Sequence, residues 1–522
     1  MACINSDIKY KKVSLCIFSI SLFLCLISNL SYSENSDIKI YEANSGEVSS
    51  QLSLPEVLDL ETAQKIALEQ NPSLKAVIQR IEQAHQQVKQ ALAQYYPEIT
   101  ANYMASHTEL SDSSIRRSQK AIWEQSASSI SQSILRGGST TGTGTNILSS
   151  VPWDTSISSM ISAYQASSNV PESQDNYALN FIVRYTLFDG FARKYSLAML
   201  RLSEVSTKES QKEAVRLILL SVANSFYGVQ LAEENLRIAE ADRAFNERQL
   251  YEARVKQEMG AGSLSDVLNF EVGLRSAEAQ IISARQNREI ARIALAGVMG
   301  FPSSSLPEHV ELASLKYETE EDLKKPNVDE LLAMALQNRP DLQMLSLSIQ
   351  QSEKELGIAR SSLYPQMGVS LSRSATRSDD SEFSSDDFGT TISFDVSYNI
   401  FSGGRNRAKR AEARARLRET EQNYYAGRIT VATDVQSVVQ ELMSAQEQLK
   451  LQRETAEYVR KNRDLVEQEY RAGQASLVRL NEAQKDLVAA EGRLASARVS
   501  LFLAWFQLKT VTAESLREYA PL

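Results

Sequence analysis

Cysteine is scarce in this 522-residue chain: Cys3, Cys16 and Cys25 are the three, and all fall within the first 33 residues. That segment has Lys9, Lys11 and Lys12, an apolar run from Val13 to about Leu30, then Ser31-Tyr32-Ser33, and it reads as a secretory signal peptide. An uncleaved membrane anchor is the alternative. Neither Cys16 nor Cys25 follows the small residues of a lipoprotein cleavage site, so no lipid anchor is expected. Without the segment the chain has no thiol, which excludes disulfides, cysteine-ligated metal and cysteine nucleophiles. Histidine is nearly as rare, and His85, His107 and His309 stand apart, so no metal site is expected. The glycine run Gly137 to Gly144 lacks the Lys-Ser/Thr of a phosphate loop and follows no strand. These absences leave neither an enzyme nor a bound cofactor to expect. Positive charge is also in deficit: the net charge is -9, and -11 once the leader's net +2 is removed, which argues against nucleic acid as the main partner. Beyond the leader no apolar run is expected to reach the roughly 20 residues of a membrane helix. If the chain enters a bilayer, it does so as strands.

Proline is missing from Gly190 until Pro302. The spacing predicts a helix from about Lys194 to Met259, roughly 100 Å long at about 1.5 Å per residue. Just before it, Tyr177, Leu179, Phe181, Val183, Tyr185 and Leu187 alternate with Ala178, Asn180, Ile182, Arg184 and Thr186, the period of a strand with one apolar face. The unit has an echo. A shift of 213 carries Tyr185–Gly190 onto Tyr398–Gly403 and Gly260–Ser263 onto Gly473–Ser476, so the chain is a tandem duplication.

In chain order, residues 34–57 form a polar N-terminal arm and the first repeat spans 58–300. Within it the apolar residues Val77, Ile81, Ala84, Val88, Ala91 and Tyr95 form a heptad seam. Tyr96-Pro97 stops that helix, and alternation predicts a strand over 98–107. A Ser-, Thr- and Gly-rich stretch, 108–176, reads as a long loop on the extracellular side, followed by a strand over 177–188 and long helices over 194–300. At Gly260 the rod breaks, and Ser263 with Asp266 resembles a capping box. A charged linker, 301–327, leads to the second repeat, 328–513. There a shift of 268 matches Asn71-Pro72 to Arg339-Pro340 and Tyr96-Pro97 to Tyr364-Pro365. The first hairpin therefore holds 55 more residues than the second, the difference between the two shifts. Strands are expected over 366–373 and 390–401 around a short loop, 374–389, then long helices over 406–513 and a tail, 514–522. The two return helices carry matching heptads, Val267, Phe270, Leu274 and Ala277 against Leu480, Ala483, Leu487 and Ala490.

The expected fold is mostly α with a small β part, duplicated coiled-coil helices plus four strands per chain. Four strands cannot close on themselves, and bilayer barrels start at about eight. Two, three or four chains would give eight, twelve or sixteen strands. The duplication, the Tyr-Pro stops, the Phe-x-Gly turns and the paired Gly-x-x-Ser tips resemble the TolC-like outer-membrane efflux protein family across nearly all of the chain beyond the leader. The resemblance implies a homotrimer with a twelve-stranded barrel in outer-membrane lipid and a helical tunnel in the periplasm. It implies an exit duct for drug efflux or type I protein secretion, with a periplasmic adaptor and an inner-membrane transporter as partners.

It also implies roles for residues at the far tips. Arg479 and Glu482 fall on the family's two acidic constriction positions, and only Glu482 keeps the charge; Arg479 either pairs with it one turn away or both are solvated helix-surface charges. Asp266 falls where the family holds the tunnel shut by bonding a neighbouring helix, with the Tyr470 hydroxyl as donor; the other reading is that Asp266 only caps its own helix. The turns at Gly260, Ser263, Gly473 and Ser476 resemble the adaptor-docking points. The competing function is a trimeric, non-conducting coiled-coil stalk or adhesin. Polar residues on the inner strand face, Thr186, Ser393, Ser397 and Asn399, suit a wet lumen rather than a plug.

Overall fold

The computed structural model describes residues 55–137, 158, 161, 162, 164, 165, 173–303, 305–307, 309–378, 381–517 and 519. The leader and most of the arm lie outside them. The first copy comprises β1 (Val57–Leu58), α1 (Leu60–Gln70), α2 (Pro72–Ala93), β2 (Glu98–Glu109), α3 (Asp112–Gly137), β3 (Ser173–Phe188), α4 (Ala192–Glu258) and α5 (Leu264–Met299). After β4 (Glu311–Leu312), the second comprises α6 (Val328–Asn338), α7 (Pro340–Ser361), β5 (Gln366–Ser378), β6 (Gly389–Ser397), α8 (Arg405–Arg471) and α9 (Leu477–Val511). The long helices α4 and α8 have 67 residues each, so the duplication is kept in length as well as in motif.

The sheet is antiparallel throughout, in the order β2-β3-β5-β6. Its register sorts the side chains. One row across the strands reads Ile99, Val183, Leu371, Ile392, and the next reads Glu98, Arg184, Ser370, Ser393. Because side chains alternate between faces, the sheet has one apolar and one polar side. The apolar side is bare, with Ile392, Phe394 and Val396 all exposed.

Three expectations change here. The stretch 108–176 is not loop from its start: β2 runs to Glu109 and α3 follows, with the half-buried Ile115, Gln119, Ile122 and Ser126 at helical spacing. Its serines hid that sparse stripe; residues 138–157 lie outside the described ones. β3 and β5 extend to Ser173 and Ser378, because Ser173 pairs with Glu109 of β2 and Ser378 pairs with Asn176 of β3. β6 stops at Ser397 instead of 401, because its partner β5 begins at Gln366 and offers nothing further to pair with.

A sharp turn joins sheet to helix. Gly190 and Phe191 both have positive φ, 69° and 70°, and a Cβ on Gly190 would collide with the Ser361 carbonyl. Asp189 accepts from the Arg193 backbone N–H at 2.8 Å and from its Nε at 3.0 Å, while Arg193 Nη1 donates to the Gln94 carbonyl at 3.0 Å. The C-terminal stop of α2 and the turn after β3 are thus stapled together.

Toward the tips the long helices lie side by side in the order α5, α4, α9, α8; toward the sheet α2 and α7 flank α4, and α7 also packs on α8. Asn71 Nδ2 donates to the Val298 carbonyl at 2.9 Å, so α2 continues the line of α5. Arg339, the matching residue of the second copy, binds Asp341 at 2.7 Å and Asp434 of α8 at 2.9 Å. By length and composition alone α4 can cross a membrane, which run-by-run reading of its sequence misses. Its apolar residues Leu219, Val222, Phe226 and Val229 are instead buried within the chain.

The linker expected over 301–327 is a belt across these helices. Its carbonyls at Pro307 and Val310 accept from Arg292 of α5, and that of Ala313 accepts from Gln230 of α4. Glu318, nearly buried, pairs with Arg498 of α9 at 3.2 Å and Arg453 of α8 at 3.5 Å. Trp505 and Gln446 both donate to the Asp322 carbonyl, at 2.9 Å each. β4 pairs in parallel with β1, which ties the belt to the start of the first copy.

Candidate functional site at the helical tips

The two tips are built alike. Gly260 and Gly473 take φ of 73° and 74°, and the following residues, Ala261 and Gln474, donate backbone bonds to Lys256 and Glu469 at 2.9 and 2.8 Å. This is the glycine cap that ends a helix with its last carbonyls satisfied. Ser263 and Ser476 then cap α5 and α9, accepting from the N–H of Ser265 at 3.1 Å and of Arg479 at 3.4 Å. The Ser263 hydroxyl thus bonds Ser265 and not Asp266, so the expected capping box is a simple N-cap. Nothing lies within 4 Å of a Cβ on either glycine; both turns are open to a partner.

Above the tips, the coil α4/α5 meets the coil α8/α9 along α4. Phe245, Val267, Phe270, Val466, Leu480 and Ala483 form the apolar core of the seam. Polar links cross it: Gln249 Nε2 donates to Glu467 at 3.3 Å, Arg471 pairs with Glu252 at 3.2 Å, and Gln484 Nε2 donates to Asp242 at 2.8 Å.

The predicted residues fall in the same region, with two changes of partner. Tyr470 makes no hydrogen bond with Asp266 within the chain. Its ring packs edge-on against Phe270, 6.3 Å between centroids, under Lys256 Nζ at 5.2 Å. Burial raises the tyrosine pKa first, and the charges of Asp266 and Glu252 add to it, so Asp266 is felt without being bonded. Arg479 does not pair with Glu482; it reaches back across the turn to Glu469 of α8 at 3.0 Å. Glu482 is exposed and, among the described residues, makes no ion pair.

Sequence reasoning missed Glu252, Gln249, Glu467, Glu469 and Arg471. Each lies on the descending helices, within a few turns before the glycine, where the duplicated motif does not reach. A signal existed: Glu467-Glu469-Arg471 is a dense charge alternation beside a cap.

The matching region is wide. The outer membrane efflux protein family matches residues 154–301 and 331–514, more than half of the chain. The chain belongs to this family. Its place is therefore the outer membrane. The efflux protein is 27% identical over 310 residues to the pyoverdine export outer membrane protein OpmQ of Pseudomonas aeruginosa, covering 59% of this chain and 62% of OpmQ. It is 22% identical over 340 residues to the alkaline protease secretion protein AprF of the same organism, covering 64% of this chain and 69% of AprF. The alignment thus spans under two thirds of OpmQ. Among solved structures, the outer membrane protein VceC of Vibrio cholerae superposes with a TM-score of 0.63 at 16% identity, covering 87% of this chain and 95% of VceC. The CmeC outer membrane channel of Campylobacter jejuni gives 0.64 at 14% identity over 88% of each chain. At these identities the likeness is one of fold.

Proposed function

We propose that three copies of this efflux protein pool their strands into a twelve-stranded barrel and their helices into a periplasmic tunnel, forming an exit duct. The observation that carries the reading is that every layer of the chain is open at the same two flanks. β2 and β6 are the sheet's edges, and α5 and α8 are the outermost helices toward the tips. An unpaired backbone group in hydrocarbon costs several kcal/mol, so the edges must meet those of other chains. The outer helices carry the matching need: α8 exposes Leu451, Tyr458 and Leu465, seven residues apart, and α5 exposes Leu268, Val272 and Ile282. Seating α8 of one chain on α5 of the next covers both stripes as a coiled-coil seam. The polar row Glu98, Arg184, Ser370, Ser393 then lines a wet lumen, and the apolar row meets lipid.

At the tips, threefold repetition brings Glu482 into an acidic ring at the constriction, with the Arg479 charge already answered by Glu469. The seam of Asp266, Tyr470, Glu252 and Arg471 holds the tunnel shut. The turns at Gly260–Ser263 and Gly473–Ser476 face the periplasm as docking points for an adaptor, and an inner-membrane transporter supplies the cargo, small molecules or proteins.

Conductance of the purified protein in planar bilayers tests the reading. Openings that become frequent on loosening the tips are expected. Silence under every condition, including Asp266→Ala and Arg471→Gln, would favour a non-conducting stalk.

A further inference from the structure

Asp242 lies on α4, roughly 27 Å from the Gly260 turn at about 1.5 Å per residue. It is half-buried against α9, where Gln484 Nε2 donates to it at 2.8 Å. Gln484 is itself buried, and its amide oxygen Oε1 has no hydrogen-bond partner. Among the described residues Asp242 pairs with no cation. The charges on the helices packed around it are committed elsewhere: Arg285 of α5 to Glu240, Arg275 to Glu278, Arg460 of α8 to Glu491, Lys461 to Glu457, and Arg463 to Glu467. On α9, Glu482, Lys485 and Asp486 are exposed.

An ionised carboxylate only accepts, so it satisfies the Gln484 N–H and leaves Oε1 orphaned. A neutral carboxylic acid has one acceptor and one donor, the complement of a primary amide. With a proton on the second oxygen, Asp242 and Gln484 form two reciprocal bonds, and no buried polar atom of the pair is left over.

We propose that Asp242 is a proton-binding site that latches the two coils of the closed duct: the neutral acid pairs reciprocally with Gln484, and release of the proton loosens α9 from α4. Burial pushes the carboxyl pKa up, opposed only by the Gln484 bond, in keeping with a group that takes up a proton readily. Asp242 is only half-buried, so water reaches its carboxyl, and a groove of about 700 Å³ lined by Ile238, Ala239 and Val488 begins one turn away. The proton comes from that water and returns to it. The inference rests on the exit-duct reading and adds a sign to it: acid tightens closure.

The test uses the full chain in planar bilayers, lowering the pH on the tip side stepwise from neutrality down to the ordinary aspartate range. Wild type is expected to lose opening probability several-fold. Asp242→Asn, whose amide supplies the donor at every pH, is expected to stay at the low level throughout. An unaltered pH dependence in Asp242→Asn, or none in wild type, would overturn the latch while leaving the duct intact. Silence of every variant, including Arg471→Gln, would remove the duct itself. Infrared titration in detergent gives an independent readout: a protonated-carboxyl band persisting above the ordinary aspartate range, absent from Asp242→Asn. No such difference band would also overturn it.

Discussion

Arg471, in the last turn of α8, meets Glu252 of α4 at 3.2 Å, and the same guanidinium holds Glu467 of its own helix at 2.9 Å. One arginine thus joins the second coil to the first just above the tips. Both side chains of the crossing pair are partly exposed, so each copy contributes no more than about 1 kcal/mol, and salt screens it. Arg471→Gln and Glu252→Gln should each raise opening frequency in bilayers, and the two together little more than either alone. Raising ionic strength should mimic the change in wild type and do little in the double variant. Fully additive effects would show that the two residues act separately.

Gly190 and Gly473 share a positive φ but not their surroundings. At Gly473 the space around a Cβ is empty, so Gly473→Ala should cost only the backbone preference, roughly 1–2 kcal/mol. At Gly190 the same methyl strikes the Ser361 carbonyl and comes within 3.0 Å of the Tyr364 Cβ. Gly190→Ala should therefore lower the thermal midpoint well beyond Gly473→Ala. Equal shifts in the two variants would mean that the sheet-to-helix junction relaxes freely.

The difference between those glycines also marks what the sequence could reveal. Repetition at fixed shifts exposed both tips, both Tyr-Pro stops and the turn at Gly190, because a glycine cap or a proline stop is a local requirement written in one or two residues. The helical rods followed from period and missing proline. Partners across the seam were not legible, since Arg479 can reach Glu482 on its own helix or Glu469 across the turn, and only the turn's path decides between them. The belt was read as a linker for a related reason: its bonds to Arg292, Gln230 and Trp505 come from carbonyls, which no side-chain pattern reports. Helix α3 was hidden by its serines, which favour turns and caps in isolation.

Tyr470 separates ring from hydroxyl. Its ring contacts Phe270 and lies beneath Lys256, while the hydroxyl makes no bond to Asp266 within the chain. If closure depends on the ring, Tyr470→Phe should leave conductance nearly unchanged and Tyr470→Ala should raise it, losing an aromatic pair of about 0.5–1.5 kcal/mol besides buried area. A large effect of Tyr470→Phe would place the hydroxyl on a residue of a neighbouring chain.

Arg339 gives the opposite response to pH from Asp242. Burial alone would raise the Asp341 carboxyl, but the Arg339 bonds and charge, the Leu342 N–H and the Arg216 charge together hold its pKa below the ordinary value. The native state therefore binds a proton here less readily than the unfolded chain does. Stability from the pair is present in full above the ordinary aspartate pKa and is lost as pH falls through the native value. Asp341→Asn leaves Arg339 with Asp434 alone, which at neutral pH should cost about 1–3 kcal/mol for a buried, half-answered guanidinium. In a thermal series the variant should converge on wild type as the pH is lowered, because protonated Asp341 has already given up the same interaction. Asp242→Asn should also meet wild type at low pH but depart with the opposite sign, gaining on wild type as pH rises, since it escapes the burial of a charge. If both variants moved in the same direction with pH, either the Asp341 or the Asp242 assignment would be wrong, and the arm that departs from wild type in the unexpected sense would identify which.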